Sequence, residues 1–154
     1  MDEKNIKLKI VSNEDIEFLY DLLKERLDYS DDLDYILKND FPSFEKHSKF
    51  IQNFIDNTSE NPFDSFYVIQ ISEDECWKSV GSIVLKKDHE WGYHLLKKYW
   101  DQGIGSKALS QLLDKNKDKT LIGRTTPENK RAIHNMEKFG FKLKELTFVK
   151  EPTD

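Results

Sequence analysis

The chain has 154 residues, a formal net charge of -5, 37% hydrophobic and 34% charged residues. That length fits one domain with a real core, and ten Phe, six Tyr and three Trp exclude a disordered chain. The acidic balance excludes the basic footprint of a nucleic-acid binder, no run approaches the roughly 18 apolar residues of a membrane span, and a single cysteine, Cys76, excludes an internal disulfide.

The start, Met1 to Asn5, lacks the apolar stretch of a secretory signal, so a cytoplasmic domain is expected. Ile6 to Val11 alternates apolar and charged residues, the period of a half-buried strand. Ser12-Asn13-Glu14-Asp15 reads as a capping box, and Ile16, Leu19, Tyr20, Leu23 and Leu27 follow at helical spacing. Between Asp28 and Asp40 the chain is acidic and aperiodic, a loop with a short helical turn. Its Asp28, Asp31, Asp32 and Asp34 read as a solvated loop or as an attraction for a cationic amine.

Pro42-Ser43 opens a second helix, with Phe44, His47, Phe50, Ile51, Phe54 and Ile55 along one face. Ser65–Ile71 and Val80–Leu85 form a hairpin around the acidic Ser72–Glu75. Glu90 to Leu96 is the next strand. From Gly103, the residues Ile104, Ala108, Leu112 and Leu113 mark a third helix, and Thr120 to Arg124 a short strand. Thr126 and Pro127 suit the N-cap and first position of a fourth helix, whose inner face is Ala132, Ile133, Met136 and Phe139. Gly140 ends it, and Phe141 to Lys150 makes a last strand. The order predicts an α/β domain with helices on both faces of one sheet.

Chemistry concentrates where the Glu90 strand runs into the third helix. Gly103 and Gly105 let backbone N–H groups approach a ligand, and the helix N-terminus directs its dipole at the same point, as a diphosphate needs. An ordinary strand-to-helix connection would use the same glycines. The spacing matches neither a Walker loop nor G-x-G-x-x-G, because Lys107 follows Gly105 by two and the third glycine position holds Ala108.

A second constellation runs from Asn129 through Ala132, Ile133, Glu137 and Lys138 to Gly140-Phe141. With the strand, the G-x-G turn and the helix before it, the chain resembles the GCN5-related N-acetyltransferase family. Within it, the chain is most similar to the branch of ribosomal-protein and amino-sugar N-acetyltransferases. The resemblance implies a single domain over residues 1–154 with a mixed, mostly antiparallel central sheet. It also implies acetyl-CoA as cosubstrate. The diphosphate would rest on the backbone of Asp101, Gln102, Gly103, Ile104, Gly105 and Ser106. Leu95 and Leu96 would pair with the pantetheine arm and present an N–H to the thioester carbonyl, and Asn129 would reach the same arm. Trp100 stands where the usual pattern has Arg or Gln.

Attack on the thioester needs a neutral amine, and a free aliphatic amine titrates near ~10. Glu90, beside the thioester, is the expected base, or it only binds the ammonium. Met136 occupies the family's usual Tyr position and cannot donate a proton, so Tyr93, Tyr99 or no side chain protonates the thiolate. His47 reads as an acceptor-site residue or a rim histidine. No metal is expected, since His47, His89, His94 and His134 lack ligand spacing. Phe41 to His47 resembles a motif of small-molecule-directed members, which favours a small amine such as an amino sugar. A protein N-terminus and a non-catalytic CoA-binding module are the alternatives, and the family resemblance suggests a homodimer.

Overall fold

In the computed structural model residues 5–27 and 41–153 are described; the Asp28–Asp40 segment and its acidic cluster lie outside them, as do residues 1–4. The chain falls into two units, one ending at Arg124 and one beginning at Thr125.

In the first unit, alternating sequence becomes four strands: β1 (Ile6–Ile10), β2 (Phe63–Glu73), β3 (Cys76–Lys86) and β4 (Trp91–Leu95). They form one antiparallel sheet in the order β1-β2-β3-β4. The β2–β3 hairpin turns on Asp74 and Glu75 alone, both at positive φ (52° and 63°), as a two-residue turn that follows strand twist requires.

Helices α1 (Ile16–Arg26), α2 (Phe44–Ile55) and α3 (Ile104–Lys115) cover the sheet. The predicted Ser12–Asp15 box forms before α1, with Ser12 N–H donating to Asp15 Oδ2 at 2.9 Å. Ser43, expected only to open the helix, caps α2 by accepting from Lys46 N–H at 3.2 Å. Successive strand side chains point to opposite faces, and β4 shows which helices lie where. Tyr93 meets Gly105 of α3, whereas His94 meets Arg26 of α1. On the α1/α2 face, Leu19, Leu22 and Ile51 pack with Phe66 and Val68 of β2. On the other face, α3 buries Ile104, Ala108, Leu109 and Leu112, and Gln111 Nε2 donates to the Ile6 carbonyl at 2.9 Å. Among the described residues no helix is long and apolar enough to cross a membrane.

The structure corrects three expected elements. The Thr120–Arg124 strand reduces to one parallel bridge, Glu90 to Ile122, held by two backbone bonds of 2.8 and 3.0 Å. In the second unit, α4 spans Lys130–Lys138, with Asn129 as its cap instead of Thr126. Its end is a Schellman motif: Gly140 (φ 89°) donates to the Glu137 carbonyl and Phe141 to the Met136 carbonyl. The expected strand Phe141–Lys150 is not formed, and Leu143, Leu146, Phe148 and Val149 are exposed. Its β-forming side chains find no ladder partner within their unit, and a strand without a neighbour has nothing to hold it.

Candidate active site

Two hydrogen bonds determine how β4 faces. Lys86 N–H donates to the Glu90 carbonyl at 2.8 Å, and Leu96 N–H to the Val80 carbonyl at 2.9 Å. Bonding alternates along an antiparallel pair, so the backbone groups of Gly92 and His94 turn toward β3. Those of Trp91, Tyr93 and Leu95 turn outward. Trp91 agrees, since its N–H donates to the Ile122 carbonyl at 3.0 Å. Leu96 is committed at both ends, because its carbonyl also accepts from Tyr99 N–H at 2.9 Å. Of the two residues expected along a cosubstrate arm, only Leu95 directs its backbone to the outer edge.

The link to α3 is tightly bonded. Lys97–Tyr99 form a 3-10 turn whose first N–H donates to Glu25 Oε1 of α1 at 2.7 Å. The Trp100 indole donates to the Leu95 carbonyl at 3.0 Å, and Gln102 Nε2 to the Lys98 carbonyl at 3.0 Å. Asp101 and Gly103 both take left-handed backbone (φ 61° and 76°), and Gly103 is the N-cap of α3. The first bond of α3 is Lys107 N–H to the Gly103 carbonyl at 3.1 Å. The N–H groups of Ile104, Gly105 and Ser106 therefore lie in the first turn and point out of the helix end, where the dipole favours an anion.

The two glycines do different work. Gly103 supplies the left-handed conformation. At Gly105, a Cβ would stand 2.8–2.9 Å from the Tyr93 ring and hydroxyl, so a side chain there would displace that ring. Tyr93 also stacks on Trp91 at 5.8 Å. Close packing thus brings a phenol beside the start of α3.

Glu90 lies just before β4. Its Oε2 accepts from Arg124 Nη1 at 2.5 Å and lies 3.7 Å from Lys86 Nζ. Glu90 Oε1 has no partner among the described residues. Glu90 N–H donates to Asp88 Oδ1 at 3.0 Å, the main reason that the Asp88 carboxyl is held below its ordinary value. On the same side of the sheet, Arg26 Nη1 and His94 Nδ1 are 3.5 Å apart. Arginine has only donors, so this contact makes Nδ1 the acceptor.

His47 belongs to an aromatic cluster around Tyr20, with ring centroids at 5.4 Å for His47, 5.3 Å for Phe44 and 5.8 Å for Phe41. Tyr20 Oη donates to the Pro42 carbonyl at 3.0 Å and ties the segment to α1. Burial lowers the His47 pKa from its ordinary value. In the second unit, Asn129 Oδ1 accepts from Ala132 N–H at 3.1 Å, capping α4. Met136 lies on that helix.

Arg124, Glu25 and Gly81 were not read from the sequence, and Trp100 was noted there without its bond to the Leu95 carbonyl. Arg124 is 34 residues from Glu90 and carries no local signal. Glu25 and Trp100 act through contacts that only the folded turn creates. Gly81 did leave a trace, as an isolated glycine inside a β-run. A Cβ there would lie 2.2 Å from the His94 carbonyl oxygen, so Gly81 lets β3 and β4 close up beside the strand end.

Residues 6–142 match the acetyltransferase (GNAT) domain family. Among solved structures, a domain from Methanocaldococcus jannaschii is 23% identical, with 90% of this chain and 89% of that one covered, at a TM-score of 0.73. The microcin C7 self-immunity acetyltransferase MccE, in complex with acetyl-CoA and AMP, is 21% identical over 91% of this chain and 80% of its own, at 0.68. RimL, a ribosomal L7/L12 α-N-protein acetyltransferase in complex with coenzyme A, is 17% identical over 91% and 81%, at 0.69. At these identities the likeness is one of fold. Comparison with curated protein sequences gave no match.

Proposed function

The chain belongs to the acetyltransferase (GNAT) domain family and is an N-acetyltransferase, and from that premise we propose that it moves the acetyl group of acetyl-CoA to a primary amine of a small molecule. One observation carries the reading: the outward-facing end of β4 at Leu95 runs through a bonded turn into the open N-terminus of α3. CoA carries an extended thiol arm on a diphosphate in one molecule, and such a ligand uses a strand edge and a helix N-terminus together.

In this reading the amides of Ile104, Gly105 and Ser106 receive the diphosphate, with Asp101, Gln102 and Gly103 shaping the turn. Leu95 offers its N–H to the thioester carbonyl, a donor aimed at the oxygen that gains charge during attack. Leu96 contributes by holding the strand end, through its bonds to Val80 and Tyr99. For Asn129 the proposal rests on the sequence motif alone.

Glu90 receives the proton that the ammonium must lose, directly or through water, while Arg124 and Lys86 hold Oε2 and leave Oε1 for the amine. The amine nitrogen then bonds to the acetyl carbon, the carbon–sulfur bond breaks, and the thiolate of CoA departs with the electron pair. Tyr93 is a phenol beside the start of α3; Tyr99 is buried and bonded to Lys78.

The resemblance of Phe41 to His47, packed around Tyr20, to a motif of small-molecule-directed members favours a small acceptor. The test is a panel of amino sugars, polyamines, amino acids and N-terminal peptides, with acetylated products detected by mass spectrometry. Acetylation of small amines is expected. Acetylation of peptides alone would favour a protein N-terminus, and acetyl-CoA binding without transfer to any amine would leave a non-catalytic module.

A further inference from the structure

Trp100 occupies the junction between the two halves of the proposed cosubstrate site. On one side its indole N–H donates to the Leu95 carbonyl at 3.0 Å. That carbonyl belongs to the outward set of β4 and would otherwise be the last acceptor at the open end of the strand. On the other side Trp100 is followed directly by the left-handed Asp101 and the turn that caps α3 at Gly103. The chain around it is ordered by Tyr99 N–H to Leu96 O at 2.9 Å and Trp100 N–H to Lys97 O at 3.1 Å. These backbone bonds shape the 3-10 turn, but neither reaches from the turn to an outward group of β4. The indole bond does reach one.

We propose that Trp100 is a positioning residue, fixing the diphosphate-binding turn against the open end of β4 so that one acyl-CoA engages both at once. The inference rests on the acetyl-CoA reading above. Its physical basis is that a ligand with two anchors on one short arm gains affinity only when the anchors are held at the right separation. The indole bond also occupies the Leu95 carbonyl, leaving its N–H as the group that meets the arm.

The experiment uses the full chain with Trp100→Phe, which keeps an aromatic ring and removes the donor. A second variant carries 3-benzothienylalanine at position 100, where sulfur replaces the indole N–H at nearly constant shape. Binding is measured by calorimetry with two probes: acetyl-CoA, which spans both halves, and 3′-phosphoadenosine 5′-diphosphate, which ends at the diphosphate. Melting temperatures verify the fold. Loss of one net hydrogen bond is expected to weaken acetyl-CoA by about 3- to 10-fold. The nucleotide probe should bind as it does to the wild type, and kcat should change less than the KM for acetyl-CoA.

Equal weakening of both probes would mean that Trp100 only maintains the turn, and would overturn the proposal. Unchanged acetyl-CoA binding in the benzothienyl variant would overturn it as well. Failure of the wild type to bind either probe would instead strike the acetyl-CoA reading itself, and is distinguished by needing no variant.

Discussion

The Glu90 side chain is tied down on one oxygen and open on the other. Arg124 and Lys86 both engage Oε2, which orients the carboxylate without enclosing it. If Glu90 accepts the amine proton, Glu90→Gln should lower kcat by about 10²- to 10⁴-fold while acetyl-CoA binding is retained; full activity at neutral pH would remove the role. Gly105 is a second residue whose neighbour decides its cost. With a Cβ 2.8 Å from the Tyr93 ring, Gly105→Ala should destabilise by about 1–3 kcal/mol, read as a lower denaturant midpoint. The same substitution in a Tyr93→Ala background should cost much less, because the clash is with that ring. Equal costs in the two backgrounds would point to the backbone instead.

At the scale of elements, most of the architecture was legible where periodicity is local. The β1 alternation, the Ser12–Asp15 box, the start of α2 at Pro42-Ser43 and the apolar stripe of α3 depend on neighbours within a turn or a strand. Elements that need a distant partner were less legible. Ile122 finds one bridge to Glu90, and Phe141 to Lys150 finds no ladder in its unit. The site divided in the same way. Gly103 announced a glycine turn, but its left-handed conformation, the outward direction of Leu95 and the Arg124 contact to Glu90 come only with the fold.

The α1–α2 packing carries a pH signature. Burial lowers the His47 pKa in the folded chain, so below about 6.5 the unfolded chain binds more protons. Stability from this group is therefore complete above the unfolded value and declines as pH falls through it toward the folded value. Replacing His47 with Leu should flatten the stability profile between pH 7.5 and 5.5 relative to the wild type, as measured by urea midpoints. Parallel profiles would show that His47 does not contribute to it.

For the whole molecule, the proposed CoA reading draws on both the family assignment and the geometry of β4 and α3. The match over residues 6–142 includes β4, the bonded turn and both glycines. The net charge of -5 disfavours an anionic ligand at long range, so in the proposed reading selectivity for CoA comes from local amides and from the strand edge. ATP and NAD also carry a diphosphate but have no pantetheine arm to lie along β4. The decisive measurement is thermal melting of the full chain with acetyl-CoA, CoA, ATP and NAD at matched concentrations. Acetyl-CoA and CoA should raise the melting temperature, by the equivalent of about 2.7 kcal/mol at a hundred times Kd, with little effect from ATP or NAD. No shift with either CoA species at saturation, or equal shifts with all four ligands, would contradict the account.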